Sequence, residues 1–139
     1  MEMYYCHTLS AEELNGLRDA VGWARISPRQ AETGLEHTEY LVAARDGDRV
    51  VGCARIVGDG GYVAYICDVI VRPEYQGHGI GKAMIEQLLE FLRSNLEPGE
   101  RVKVFLMAAK ERESFYRQFG FLDLPDETDG AGMVRWIKK

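Results

Sequence analysis

What this sequence lacks narrows its class at once. Cysteine is scarce, with three in 139 residues, at Cys6, Cys53 and Cys67. An odd number at such wide separation fits neither a disulfide framework nor a zinc site, and points to a reduced, cytoplasmic protein. No apolar run approaches the ~20 residues of a membrane span. The first residues, Met1-Glu2-Met3-Tyr4-Tyr5, carry no basic stretch before an apolar one, so no secretory leader is expected. Positive charge is short as well. Seventeen Lys and Arg stand against 22 Asp and Glu, a net charge of −5. Nucleic-acid binders are usually basic, so that class is disfavoured, and an acidic chain suits a cationic small substrate. His7, His37 and His78 lack metal-ligand spacing, and no metal is expected. Repeats and low-complexity tracts are absent.

What remains is an ordinary globular balance, 46% hydrophobic and 28% charged, at a length typical of a single domain over residues 1–139. The periodicities predict a first strand at 2–8 and a helix at 10–21. That helix opens on the capping box Ser10-Ala11-Glu12-Glu13. A short helix should start at Pro28 and run to Leu35. Strands at 40–44 and 49–57 flank the turn Asp46-Gly47-Asp48. A strand at 62–71 ends in the almost wholly apolar Ile66-Cys67-Asp68-Val69-Ile70-Val71, as for a central strand buried on both faces. Ile80, Met84, Leu88 and Leu92 mark a helix at 79–94. A strand at 102–107, a helix at 110–119 stopped by Gly120, and a last strand at 133–137 complete the order. Hairpins early and strand–helix–strand alternation late imply an α/β fold with a mixed sheet and helices on both faces.

The stretch with chemistry in it is Val71-Arg72-Pro73-Glu74-Tyr75-Gln76-Gly77-His78-Gly79-Ile80-Gly81-Lys82. A buried strand ends, glycines alternate, and a long helix begins. The first turn of a helix leaves its N–H groups unpaired and carries roughly half a positive charge. Glycine lets backbone approach a ligand with no Cβ between them. Together these make a pyrophosphate cradle. The dinucleotide fingerprint would need glycine where Lys82 stands. The P-loop would need glycine at Gln76 and Ser or Thr at Ala83. Neither pattern is met.

Gln76-x-x-Gly79-x-Gly81, preceded by Val71-x-Pro73-x-Tyr75, resembles the coenzyme A-binding motif of the GCN5-related N-acetyltransferases (GNAT). Phe115-Tyr116-Arg117-Gln118-Phe119-Gly120-Phe121 resembles that family's second signature, one helix, one strand and one helix downstream. The resemblance implies a central mixed, mostly antiparallel sheet with one splayed pair of parallel strands. It also implies acetyl-CoA as co-substrate. The backbone of Val69, Ile70 and Val71 would hold the pantetheine arm. The amides of Gln76, Gly77, His78, Gly79, Ile80, Gly81 and Lys82 would hold the pyrophosphate. Ala109 stands where relatives often place an Asn on the pantetheine. Tyr116 would protonate the leaving thiolate, since a phenol is a neutral donor at pH 7.

Asp68 is the residue expected to act as general base, directly or with a water chain in its stead, because a carboxylate in an apolar strand needs a partner or a task. Cys67 lacks a neighbouring base and is read as packing. The acceptor side should include the loop 21–28, with Trp23 as a cation–π wall and Arg25 beside it. The implied activity is transfer of an acetyl group to a primary amine of a small molecule by direct attack. The alternatives are a protein N-terminus or lysine as acceptor, or a non-catalytic coenzyme A-binding domain. A homodimer is expected from the resemblance.

Overall fold

A computed structural model describes residues 1–139 as two compact units, Met1–Leu106 and Met107–Lys139. The first contains β1 (Met3–Cys6), α1 (Ala11–Ala20), α2 (Pro28–Glu36), β2 (Tyr40–Asp46), β3 (Arg49–Gly58), β4 (Val63–Val71), α3 (Ile80–Ser94) and β5 (Lys103–Leu106). The strands lie in sequence order, antiparallel from β1 to β4, with β4 and β5 parallel. The mixed sheet and most boundaries follow the expectation.

Alternation along the strands decides which helix covers which face. Leu41 and Ala43 point to one side with Val50, Cys53 and Ile70, and there they bury Leu14 and Leu17 of α1 and Ala31 of α2. Val42 and Ala44 point to the other side, where α3 packs with Ile80, Met84, Ile85, Leu88 and Leu92 buried. Gly52 is small for a reason. A Cβ there would stand 2.9 Å from the Ile70 carbonyl oxygen and 3.3 Å from Met84 Cε. β3 and β4 thus lie close under α3, and the loop that leads into that helix starts from a fixed strand end.

The second unit contains α4 (Glu113–Arg117) and otherwise irregular backbone and turns. Two expectations are corrected here. The helix expected over 110–119 is one turn and a half, because Glu111 takes φ +70° and Gly120 φ +89°, which bound it on both sides. No strand forms at 133–137. Met133, Val134, Trp136 and Ile137 are instead exposed. A strand needs a partner edge, and a run of strand-favouring residues alone does not supply one.

Candidate active site

β4 leads into the glycine loop, and its outer edge opens before it ends. Pairing with β5 covers Val63 to Ile66 and stops at Ile66–Leu106, while β4 continues to Val71. Backbone of Cys67 to Val71 therefore faces no β5 residue. On the other edge Cys53 stands against Ile70 and Gly52 against Val71, which holds this stretch to β3. Such an edge offers hydrogen-bonding backbone to an extended ligand.

After β4 the chain makes a single 3₁₀ turn at Pro73–Tyr75. Three contacts fix it. Arg72 Nε donates to the Val50 carbonyl at 2.8 Å, Tyr75 Oη to Asp46 at 2.5 Å, and Gln76 Nε2 to the Val71 carbonyl at 3.0 Å. Gln76 thus ties the loop back to the strand through its side chain. Gly77 and Gly79 then take φ +82° and +80°, conformations that side chains resist. A Cβ built on either would meet nothing within 4 Å. These glycines answer to backbone conformation and leave open space above the loop.

α3 starts there with Gly79 as N-cap and no capping side chain. Its first internal hydrogen bond runs from Ala83 N to Gly79 O at 3.0 Å. The amides of Ile80, Gly81 and Lys82 precede it and have no helical acceptor, a ready anion site. Ile80 directs its side chain into the core, at 4% exposure, and contributes backbone alone. His78 is exposed, and Lys82 reaches Glu86 at 4.0 Å. Open glycines, free amides and an unpaired strand edge fit the coenzyme expected from the sequence.

Asp68 sits differently from the base expected of it. Its carboxylate is buried, with both oxygens engaged by guanidinium groups, Oδ1 by Arg18 and Oδ2 by Arg55, each at 2.8 Å. Each oxygen is thus held in an ion pair and serves first as a counter-ion. Burial pushes the neighbouring Cys67 thiol up to about 11, so it carries no thiolate at neutral pH. Trp23 is half-buried against the α1–α2 core, and Arg18 lies over its ring at 5.4 Å from the centroid. That ring already has an internal cation. Arg25 is exposed and paired with Asp19. The loop itself is held by Asn15, 3% exposed, which accepts from Ile26 N and donates to Ile26 O at 2.8 Å each.

Sequence reasoning missed Arg18, Arg55 and Asn15. A signal existed for one of them. Arg55 is a cation inside an apolar strand, as Asp68 is an anion inside another, and buried opposite charges are found paired.

In the second unit, Tyr116 is 8% exposed and makes edge contacts with Phe115 and Phe121. Burial raises its phenol above the ordinary value, and Arg112 opposes this in part. It is therefore an O–H donor at neutral pH. Ala109 is exposed and its carbonyl accepts from Arg112 N at 2.9 Å, so that position gives backbone to a turn.

Comparison with known proteins bears on this arrangement. The model of the acetyltransferase (GNAT) family matches residues 11–121. Serotonin N-acetyltransferase 2, chloroplastic, of Oryza sativa subsp. japonica is 34% identical over 91% of this chain and 64% of its own length. Histone acetyltransferase TAP1 of Glycine max is 32% identical over 85% of this chain and 54% of its own. The solved acetyltransferase SP0256 of Streptococcus pneumoniae superposes with a TM-score of 0.76 at 33% identity, over 99% of this chain and 97% of that one. The chain thus spans between half and two thirds of these two curated relatives.

Proposed function

The chain belongs to the acetyltransferase (GNAT) family, and from that premise we propose that it transfers an acetyl group from acetyl-CoA to a primary amine of a small molecule. The observation that carries the reading is the loop at Gly77 and Gly79, open above both glycines and followed by the uncapped start of α3. The amides of Gly77 to Lys82 are assigned to the pyrophosphate, while the Gln76 amide is held by the Pro73 carbonyl at 3.2 Å and closes the turn before them. The open edge of Val69, Ile70 and Val71 is assigned to the pantetheine arm. Acetyl-CoA supplies an activated acyl group, so a bound amine attacks it directly, and the protein contributes position and polarisation. Tyr116, a protonated phenol, is assigned as donor to the leaving thiolate. With both Asp68 oxygens in ion pairs, the amine's proton is assigned to water.

The acceptor class rests on the serotonin-acetylating relative, and the net charge of −5 suits a cationic amine. The histone-acetylating relative supports a second reading, a protein lysine as acceptor. A homodimer belongs to the same proposal and rests on the exposed apolar residues Met133, Val134, Trp136 and Ile137.

Calorimetric titration with acetyl-CoA, then with desulfo-coenzyme A, tests the donor site. Saturable micromolar binding of both is expected. Thiol release is then followed with arylalkylamines, polyamines and a histone-tail peptide. Turnover on the small amines supports the proposal, and turnover on the peptide alone replaces it with the second reading. Binding without turnover on any acceptor leaves a coenzyme-binding domain, and no binding removes the cradle assignment.

A further inference from the structure

Asp68 is strained as well as buried. It takes φ +51° inside a strand, a left-handed conformation that few side chains tolerate. Across from it β3 is one residue short. Cys53 pairs with Ile70 and Arg55 with Cys67, so Asp68 and Val69 both stand opposite Ala54, which is a bulge. The Cys53 thiol donates to the Asp68 carbonyl at 3.1 Å and fixes its main chain. Strain of this kind persists only where surroundings over-determine it.

The surroundings are two arginines that each reach further. Arg18 of α1 donates through Nη1 to Asp68 and through Nε to the Ala24 carbonyl at 2.7 Å. Its guanidinium covers Trp23, whose amide donates to the Arg18 carbonyl at 2.9 Å. Arg55 of β3 donates through Nε to Asp68 and through Nη1 to Thr38 Oγ1 at 2.9 Å and the Gly34 carbonyl at 3.3 Å. One carboxylate therefore joins the β4 bulge, α1, the 22–26 loop and the end of α2. Without it, two half-buried guanidinium groups would lose their shared counter-ion.

We propose that Asp68 is a positioning residue: through Arg18 and Arg55 it locks the β4 bulge in register with the Trp23–Ala24 loop, so that Val69–Val71 and the acceptor loop keep one relative geometry. The inference rests on the acetyltransferase reading for its catalytic consequence, and on the ion pairs alone for its structural one.

Asp68→Asn tests it. Asn keeps the shape and tolerates left-handed backbone, but puts an amide N–H₂ against a guanidinium. Acetyl-CoA affinity should fall by no more than ~10-fold, because the pyrophosphate amides lie beyond the bulge and only the pantetheine contacts of Val69–Val71 are disturbed, while kcat/KM for the amine falls on the order of 10²-fold. That loss should be the same from about pH 6 to 9, where a missing base would show a changed pH profile. Arg18→Gln and Arg55→Gln should reproduce it and add little to Asp68→Asn, as members of one network do. If the Asp68 variants do not fold, Arg18→Gln carries the test, since Asp68 keeps Arg55.

A second readout needs no turnover. In a Trp136→Phe background Trp23 is the one tryptophan. Asp68→Asn should shift its emission to the red and lower its anisotropy. Unchanged Trp23 emission, or undiminished turnover, overturns the lock. A loss that disappears at high pH makes Asp68 the base instead. Wild-type protein without turnover on any amine overturns the proposed function, and Trp23 then decides the lock on its own.

Discussion

Gly79 holds φ +80° with open space where a Cβ would stand, so its substitution carries two separable costs. The first is backbone strain, about 1–2 kcal/mol for a side chain held left-handed. The second falls on whatever occupies the loop. Gly79→Val should still fold, with a lowered melting temperature, and lose acetyl-CoA binding in calorimetry; retained affinity would show that the loop is a turn and no more. Tyr116 gives the complementary case. Tyr116→Phe keeps the ring contacts with Phe115 and Phe121 and removes one hydroxyl. Turnover should fall ~10²–10⁴-fold with acetyl-CoA affinity retained. Equal turnover would withdraw the phenol from the mechanism. Both residues can be singled out as candidates from the chain alone, because glycine spacing and an aromatic signature are local patterns. The partners of Asp68 were not. Arg18 and Arg55 lie 50 and 13 residues from it, and only the β3–β4 register and the packing of α1 bring three charges together.

Elements were legible where their own ends specify them. α1 opens with both arms of the capping box in place, Glu13 N to Ser10 Oγ and Ser10 N to Glu13 Oε1, each at 3.0 Å. The structure adds what local sequence does not carry. Arg45 of β2 takes the same Glu13 carboxylate at 2.6 and 3.0 Å and binds the helix start to the sheet. Its guanidinium is the main reason that Glu13 titrates at about 2. A carboxylate held low in the folded state adds stability above its unfolded value, near 4.5, and loses it as pH falls toward 2. Glu13→Gln should therefore melt at a lower temperature than wild type at pH 7, and the gap should close between about pH 4.5 and 2. Thermal melts across that range check it, and parallel curves would show that the ion pair adds nothing beyond the cap. The opposite case is residues 133–137. Their apolar and aromatic residues read as a strand, and the single chain forms none.

At the scale of the molecule, that unformed strand bears on assembly. Met133 and Ile137 are 95% and 84% exposed, and Val134 and Trp136 are open beside them. Single exposed apolar residues are common, but four within five positions form a patch of the kind that marks an interface. The backbone of these residues belongs to no sheet, so its N–H and C=O groups are free for a second chain in the way edge strands are. A second copy supplies the same segment, and a two-fold axis would set the two side by side with every contact made twice. The expected outcome is a homodimer in sedimentation velocity at micromolar concentrations. Trp136→Glu puts a charge into the middle of that contact and should give a monomer that keeps the far-UV circular dichroism of a folded chain, because residue 136 lies outside every helix and strand of the single chain. A wild-type protein that sediments as a monomer throughout would remove the dimer. A Trp136→Glu protein that still dimerises would move the interface elsewhere, and the exposed segment would then need another partner.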